Sequence, residues 1–105
     1  MTRTTISGTK NVLYDLGFED AAELTAKVQL AIKLNDLIDL RGMTQTDVAI
    51  LTGMTQPKVS QIRRYKLLNI SLERLLQALV ALDQRVEIRV RKARQSDTAG
   101  ITVSA

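Results

Sequence analysis

The 105-residue chain has no cysteine and no histidine. Disulfides are therefore excluded, and cysteine usage says nothing of the redox compartment. The missing histidine removes the commonest general base and metal ligand. The carboxylates are scattered and no glycine-rich phosphate loop is present, so neither catalytic residues, a metal nor a cofactor is expected, and an enzyme is the least supported class. Aromatic residues are few, namely Tyr14, Phe18 and Tyr65. The core must then be aliphatic, and platforms for stacking single-stranded bases are largely missing. No apolar run reaches the roughly 18 residues of a membrane span, and the opening MTRTTISGTK lacks the apolar centre of a signal peptide. A cytoplasmic protein with no membrane partner is the expectation.

What is present suits one modest helical domain: 45% hydrophobic residues and a single proline. The net charge of +4 is unevenly spread. Residues 1–40 carry four basic and six acidic groups, residues 41–95 eleven and four. A basic second half is the distribution expected of a surface that meets phosphates, although charge alone gives only salt-sensitive, non-specific affinity.

The most informative stretch is residues 44–65, TQTDVAILTGMTQPKVSQIRRY. Thr44 and Asp47 form a T-x-x-D variant of the capping box, which predicts a helix start. Val48, Ala49 and Leu51 supply its apolar support, with small Ala49 on the inner face, where two helices cross steeply. Gly53 predicts its end, because the residue just past a helix commonly takes positive φ. Thr55 caps a second helix, with Pro57 in its first turn, where a missing N–H costs nothing. Val59 and Ile62 mark the core side of that helix. Gln56, Lys58, Gln61, Arg63 and Arg64 mark its other sides, amides suited to base edges and cations suited to phosphates. Two ordinary amphipathic helices with a solvated charged face are the plain alternative.

Around this centre, residues 1–19 read as a loose arm followed by a packed lead-in with Val12, Leu13, Leu16 and Phe18 as anchors. Asp20 and Glu23 give a helix start signal. The helix that follows carries one apolar stripe at Leu24, Val28, Ala31 and Ile38 and another at Leu30, Leu34 and Leu37, ending at Gly42. That is more than one face, so either a thick core or a partner surface is implied. Residues 65–70 read as a linker, with Arg64 and Lys66 placed for phosphates. Ser71 caps a helix whose Leu72, Leu75, Leu76, Leu79 and Val80 point to the core. From residue 85 the period changes to two: Val86, Ile88 and Val90 alternate with Arg85, Glu87, Arg89 and Arg91, a half-buried strand. A lone strand leaves its backbone groups unpaired, so the same strand of a second copy is the favoured partner, with Val86, Glu87, Ile88, Arg89 and Val90 at the dimer interface. A partner from the lead-in and a helix running past Asp83 are the alternatives. The domain boundaries follow: arm and lead-in at 1–19, the helix-turn-helix domain at 20–83, the dimerisation strand at 84–92 and a flexible tail at 93–105.

The frame Thr44, Gln45, Ala49, Gly53 and the run Thr55, Gln56, Val59, Ser60, Ile62 resemble the Cro/repressor-type (XRE) helix-turn-helix family. Including the lead-in Asn11, Val12, Asp15, Leu16, Gly17, Phe18 and the V-E-I-x-V strand, the chain resembles HigA-like regulators over residues 11 to 92. The resemblance implies a mainly α, lambda-repressor-like bundle of four to five helices, with one C-terminal strand paired across a dimer. It also implies a bacterial homodimer that represses its own promoter through a palindromic double-stranded DNA operator, as the antitoxin of a RelE/HigB-type ribonuclease toxin. A stand-alone regulator, or a module masking a basic partner through Asp15, Glu19, Asp20 and Glu23, are the other readings. By the same resemblance Gln45 contacts phosphate and Thr55, Gln56 and Lys58 face the groove. Gln61 is a third reader, Pro57 departs from the family's contacting residue, and Arg63, Arg64 and Lys66 supply affinity.

Overall fold

The computed structural model describes residues 21–94 and 100–104. The arm and lead-in expected before them, with Asp20 at the expected helix start, lie outside the described residues. Among the described residues four helices follow one another: α1, Ala21–Arg41; α2, Gln45–Thr52; α3, Gln56–Arg63; and α4, Leu72–Ala81.

Helix α1 forms the spine, and α4 packs along it most extensively. Its buried positions, Ala26, Lys27, Leu30, Ala31, Leu34, Asn35 and Ile38, recur at three and four residues and so share one face. The two predicted stripes merge on that face: Leu30, Ala31, Leu34 and Ile38 are buried and Val28 and Leu37 lie half-buried beside them, while Leu24 stays exposed. The thick-core reading thus accounts for most of the apolar surface.

Each helix end has a local cause. Gly42 (φ 62°) closes α1 in a Schellman motif, its N–H donating to Asp39 O at 3.1 Å and the Met43 N–H to Ile38 O at 3.0 Å. Tyr65 (φ 59°) closes α3 in the same way, and Asp83 (φ 66°) closes α4. Helix α4 therefore stops at Ala81 rather than running on past Asp83. Ser71 caps its start, accepting from the Arg74 N–H at 3.0 Å.

The core gathers Leu34, Val48, Met54, Val59, Ile62, Leu75, Ala78, Leu79 and Leu82. Two sequence expectations shift here. Val80, predicted to face inward, is 57% exposed, and Ala78 takes the inner position instead. The linker after α3 is anchored, because Leu67 and Ile70 are both buried.

Among the described residues, 85–91 belong to no helix and to no β-ladder, so the predicted strand finds no partner there. Val86 packs on the core, whereas Ile88 and Val90 are exposed. Arg85 Nε pairs with Glu87 Oε2 of the same chain at 3.5 Å. Where the sequence predicts a loose tail, residues 100–104 lie along α1: the Val103 N–H donates to Gln29 Oε1 at 3.2 Å, and Val103 packs against the core. No helix among the described residues is long and apolar enough to cross a membrane.

Candidate nucleic-acid interface

Helix α2 starts in the capping box expected from the sequence. Thr44 Oγ1 accepts from the Asp47 N–H, and Asp47 Oδ2 accepts from the Thr44 N–H, both at 3.0 Å. It ends at Gly53 (φ 75°), whose N–H donates to Ala49 O at 2.9 Å. Thr52 ties the turn from within: its hydroxyl donates to Val48 O at 2.7 Å and accepts from the Met54 N–H at 3.3 Å. Met54 is buried under the turn. Thr55 then caps α3, accepting from the Lys58 N–H at 3.3 Å, and Pro57 sits in the first turn.

Helix α3 buries Val59 and Ile62. At 3.6 residues per turn the opposite face carries Pro57, Ser60, Gln61 and Arg64, with Gln56 beside them at the N-terminal end. Gln56, Pro57 and Arg64 are exposed, and Ser60 and Gln61 are half-buried. Among the described residues the side chains of Gln56, Gln61, Arg64 and Lys66 make no hydrogen bond or ion pair, so their polar groups stay available to a partner. Gln45 is exposed at the first position of α2.

The eight DNA-contact candidates fall into two sets. Gln45, Thr55, Gln56, Gln61, Arg64 and Lys66 lie on α2, α3 or the residues beside α3 with no tertiary bond to their side chains, although the Thr55 oxygen is already used as the cap. Lys58 and Arg63 are held by the protein. Lys58 Nζ donates to Asn69 O at 3.1 Å, which ties α3 to the segment leading into α4. Arg63 turns back onto α1: Nη2 donates to Asp39 Oδ1 at 2.6 Å and Nη1 to Asn35 Oδ1 at 2.9 Å. Asn35 in turn donates from Nδ2 to Ile62 O at 3.1 Å, a second bond to a last-turn carbonyl of α3 that also accepts from the Tyr65 N–H. Sequence reasoning missed Asn35 and Asp39; the signal was a polar residue at position 35 inside an apolar stripe, since a buried amide demands a partner. Lys27 plays a similar role nearer the start of α1, donating to Leu67 O at 3.4 Å and pairing with Glu23 at 3.8 Å. It pins the connector that carries Lys66.

A capped helix, a left-handed glycine turn and a second helix that offers free amides and a free cation on its outer face define a helix-turn-helix DNA-binding domain. The model of the helix-turn-helix domain family matches residues 12–91. No curated protein gives a significant match to the chain. A solved structure named "Putative XRE Family Transcriptional Regulator" is similar at 46% identity and a TM-score of 0.74, over 81% of this chain and 97% of that one. The chain belongs to the XRE family of helix-turn-helix transcriptional regulators.

Proposed function

We propose that this XRE-family regulator is a dimeric, sequence-specific repressor that binds a palindromic operator in its own promoter and serves as the antitoxin of a RelE/HigB-type ribonuclease toxin. It acts by binding rather than by catalysis. The observation that carries the DNA-reading role is the outer face of α3, where Gln56 and Gln61 keep their amides free while Thr55 caps the helix beneath them. A free glutamine amide suits the donor and acceptor pair that adenine presents in the major groove. Arg64 and Lys66, at the end of the same helix, are exposed cations suited to the flanking phosphates.

The dimer is supported by residues 85–91. Ile88 is 75% and Val90 90% exposed, and the segment joins no β-ladder among the described residues, so a second copy of the segment supplies both an apolar layer and backbone partners. Two recognition helices would then enter major grooves about 34 Å apart. The antitoxin role rests on the order of sequence motifs and on the acidic run Asp15, Glu19, Asp20 and Glu23, suited to a basic partner.

Gln56→Ala is expected to relax base choice at one operator position at a cost of ~1–3 kcal/mol. Unchanged relative affinities across operator variants would refute the readout assignment. Ile88→Asp is expected to yield monomers in sedimentation, and a stable dimer would refute the pairing of these segments. Co-purification of a basic ribonuclease toxin that is lost on deleting residues 1–24 is the outcome expected for the antitoxin role; retention would remove the acidic run from it.

A further inference from the structure

The last turn of α3 is gripped by α1 at two points. Asn35 Nδ2 holds the Ile62 carbonyl, and the Arg63 guanidinium reaches Asn35 Oδ1, the Asn35 carbonyl (3.3 Å) and Asp39 Oδ1. Asn35 and Asp39 stand four residues apart and so face the same way on α1. Asn35 is 5% exposed, while the Arg63 and Asp39 side chains are 28% and 66% exposed. The apolar contact of Val59 and Ile62 is non-directional and tolerates small rotations of α3 about its own axis. A guanidinium fork bonded to two side chains is directional and does not. Side-chain tips lie about 5–6 Å from a helix axis, so a rotation of roughly 20° moves Gln56 and Gln61 by about 2 Å. That displacement exceeds the whole range of good hydrogen-bond lengths.

We propose that Asn35, Arg63 and Asp39 are positioning residues for base readout, and that Arg63 acts on sequence choice through α1 rather than on affinity through phosphate. The inference rests on the reading of α3 as the recognition helix. It reverses the role that charge alone assigns to Arg63: the cation nearest the end of α3 is spent inside the protein, and Arg64 beside it is the free one.

Arg63→Lys keeps the charge but loses the planar fork, so a lysine reaches Asp39 or Asn35 and not both. Asp39→Ala removes one grip at an exposed site of α1 and leaves the core intact. The probes are the duplex that the wild-type full chain enriches from a random pool and a duplex of scrambled sequence, each titrated with each variant across a range of salt, with thermal melts alongside. Both variants are expected to lower the ratio of enriched to scrambled affinity about tenfold, and Arg63→Lys to leave the salt slope on both duplexes unchanged. If Arg63 contacts phosphate, lysine replaces it and the ratio holds, which overturns the proposal. A lower melting temperature with an unchanged ratio also overturns it, since the network would then serve stability alone. A wild-type chain that enriches no duplex refutes the readout by α3, and this assignment with it; normal enrichment with unaffected variants refutes this assignment only.

Discussion

Gly53 sets the turn between α2 and α3, and replacing it by alanine isolates one physical term. Its φ of 75° lies in the left-handed region, and a Cβ built there meets no heavy atom within 4 Å. Steric conflict with residues beyond the two adjacent in the chain is therefore absent, and the cost is the left-handed backbone itself, where Cβ crowds the adjoining carbonyl, about 1–2 kcal/mol for an L-residue. Alanine also narrows the unfolded ensemble, which returns roughly 0.4–1 kcal/mol. The net expectation is a destabilisation of about 1 kcal/mol, or a melting temperature lower by about 4 °C for a domain of this size. Asparagine tolerates the left-handed region better, so Gly53→Asn is expected to cost less than Gly53→Ala. Urea unfolding of the three chains measures both differences. A loss above about 3 kcal/mol for alanine would mean a clash and a tighter turn than described. A loss indistinguishable from zero, or asparagine costing more than alanine, would mean that the residue does not hold a left-handed conformation and that the angle between α2 and α3 is set elsewhere.

Thr44→Ala is expected to cost about 1 kcal/mol, and the double variant with Asp47→Ala less than the sum of the two, because the residues serve one capping box; additive losses in urea unfolding would contradict a shared motif. Leu75→Ala empties a fully buried site on α4 and is expected to lose about 2–5 kcal/mol in the same measurement, a loss below about 1 kcal/mol being inconsistent with its burial. Arg64→Ala is expected to weaken enriched and scrambled duplexes alike and to reduce the slope of log affinity against log salt by about 0.9, whereas a change confined to one sequence would make Arg64 a base reader.

The helix-turn-helix was legible because its signals are local. A threonine with an aspartate three residues on, a glycine past a helix end and a threonine two residues before a proline each act on their own backbone, and all were found where the sequence placed them. Ser71 capped α4 for the same reason. What escaped depended on which distant group a side chain meets. Arg63 and Lys58 read as free cations because nothing within a few residues engages them; their acceptors are 24 to 28 residues away on α1 and 11 residues away at Asn69. Leu67 and Ile70 read as linker because a short connector shows no periodicity, yet both fall on the bundle. Val80 shows the opposite error, an apolar residue at a plausible spacing that the narrower contact of a ten-residue helix leaves in solvent. The closures at Tyr65 and Asp83 had no glycine to announce them, and only their bonding to the preceding turns reveals the left-handed residue.

Selection of random duplex DNA by the purified chain, with binding of the enriched sequence followed against salt, tests sequence-specific recognition by α3 most directly. The expected result is a palindrome with half-sites about ten base pairs apart, bound at least about a thousandfold more tightly than scrambled DNA at physiological salt. No enrichment, or an affinity equal for enriched and scrambled duplexes that disappears from both as salt rises, would contradict it.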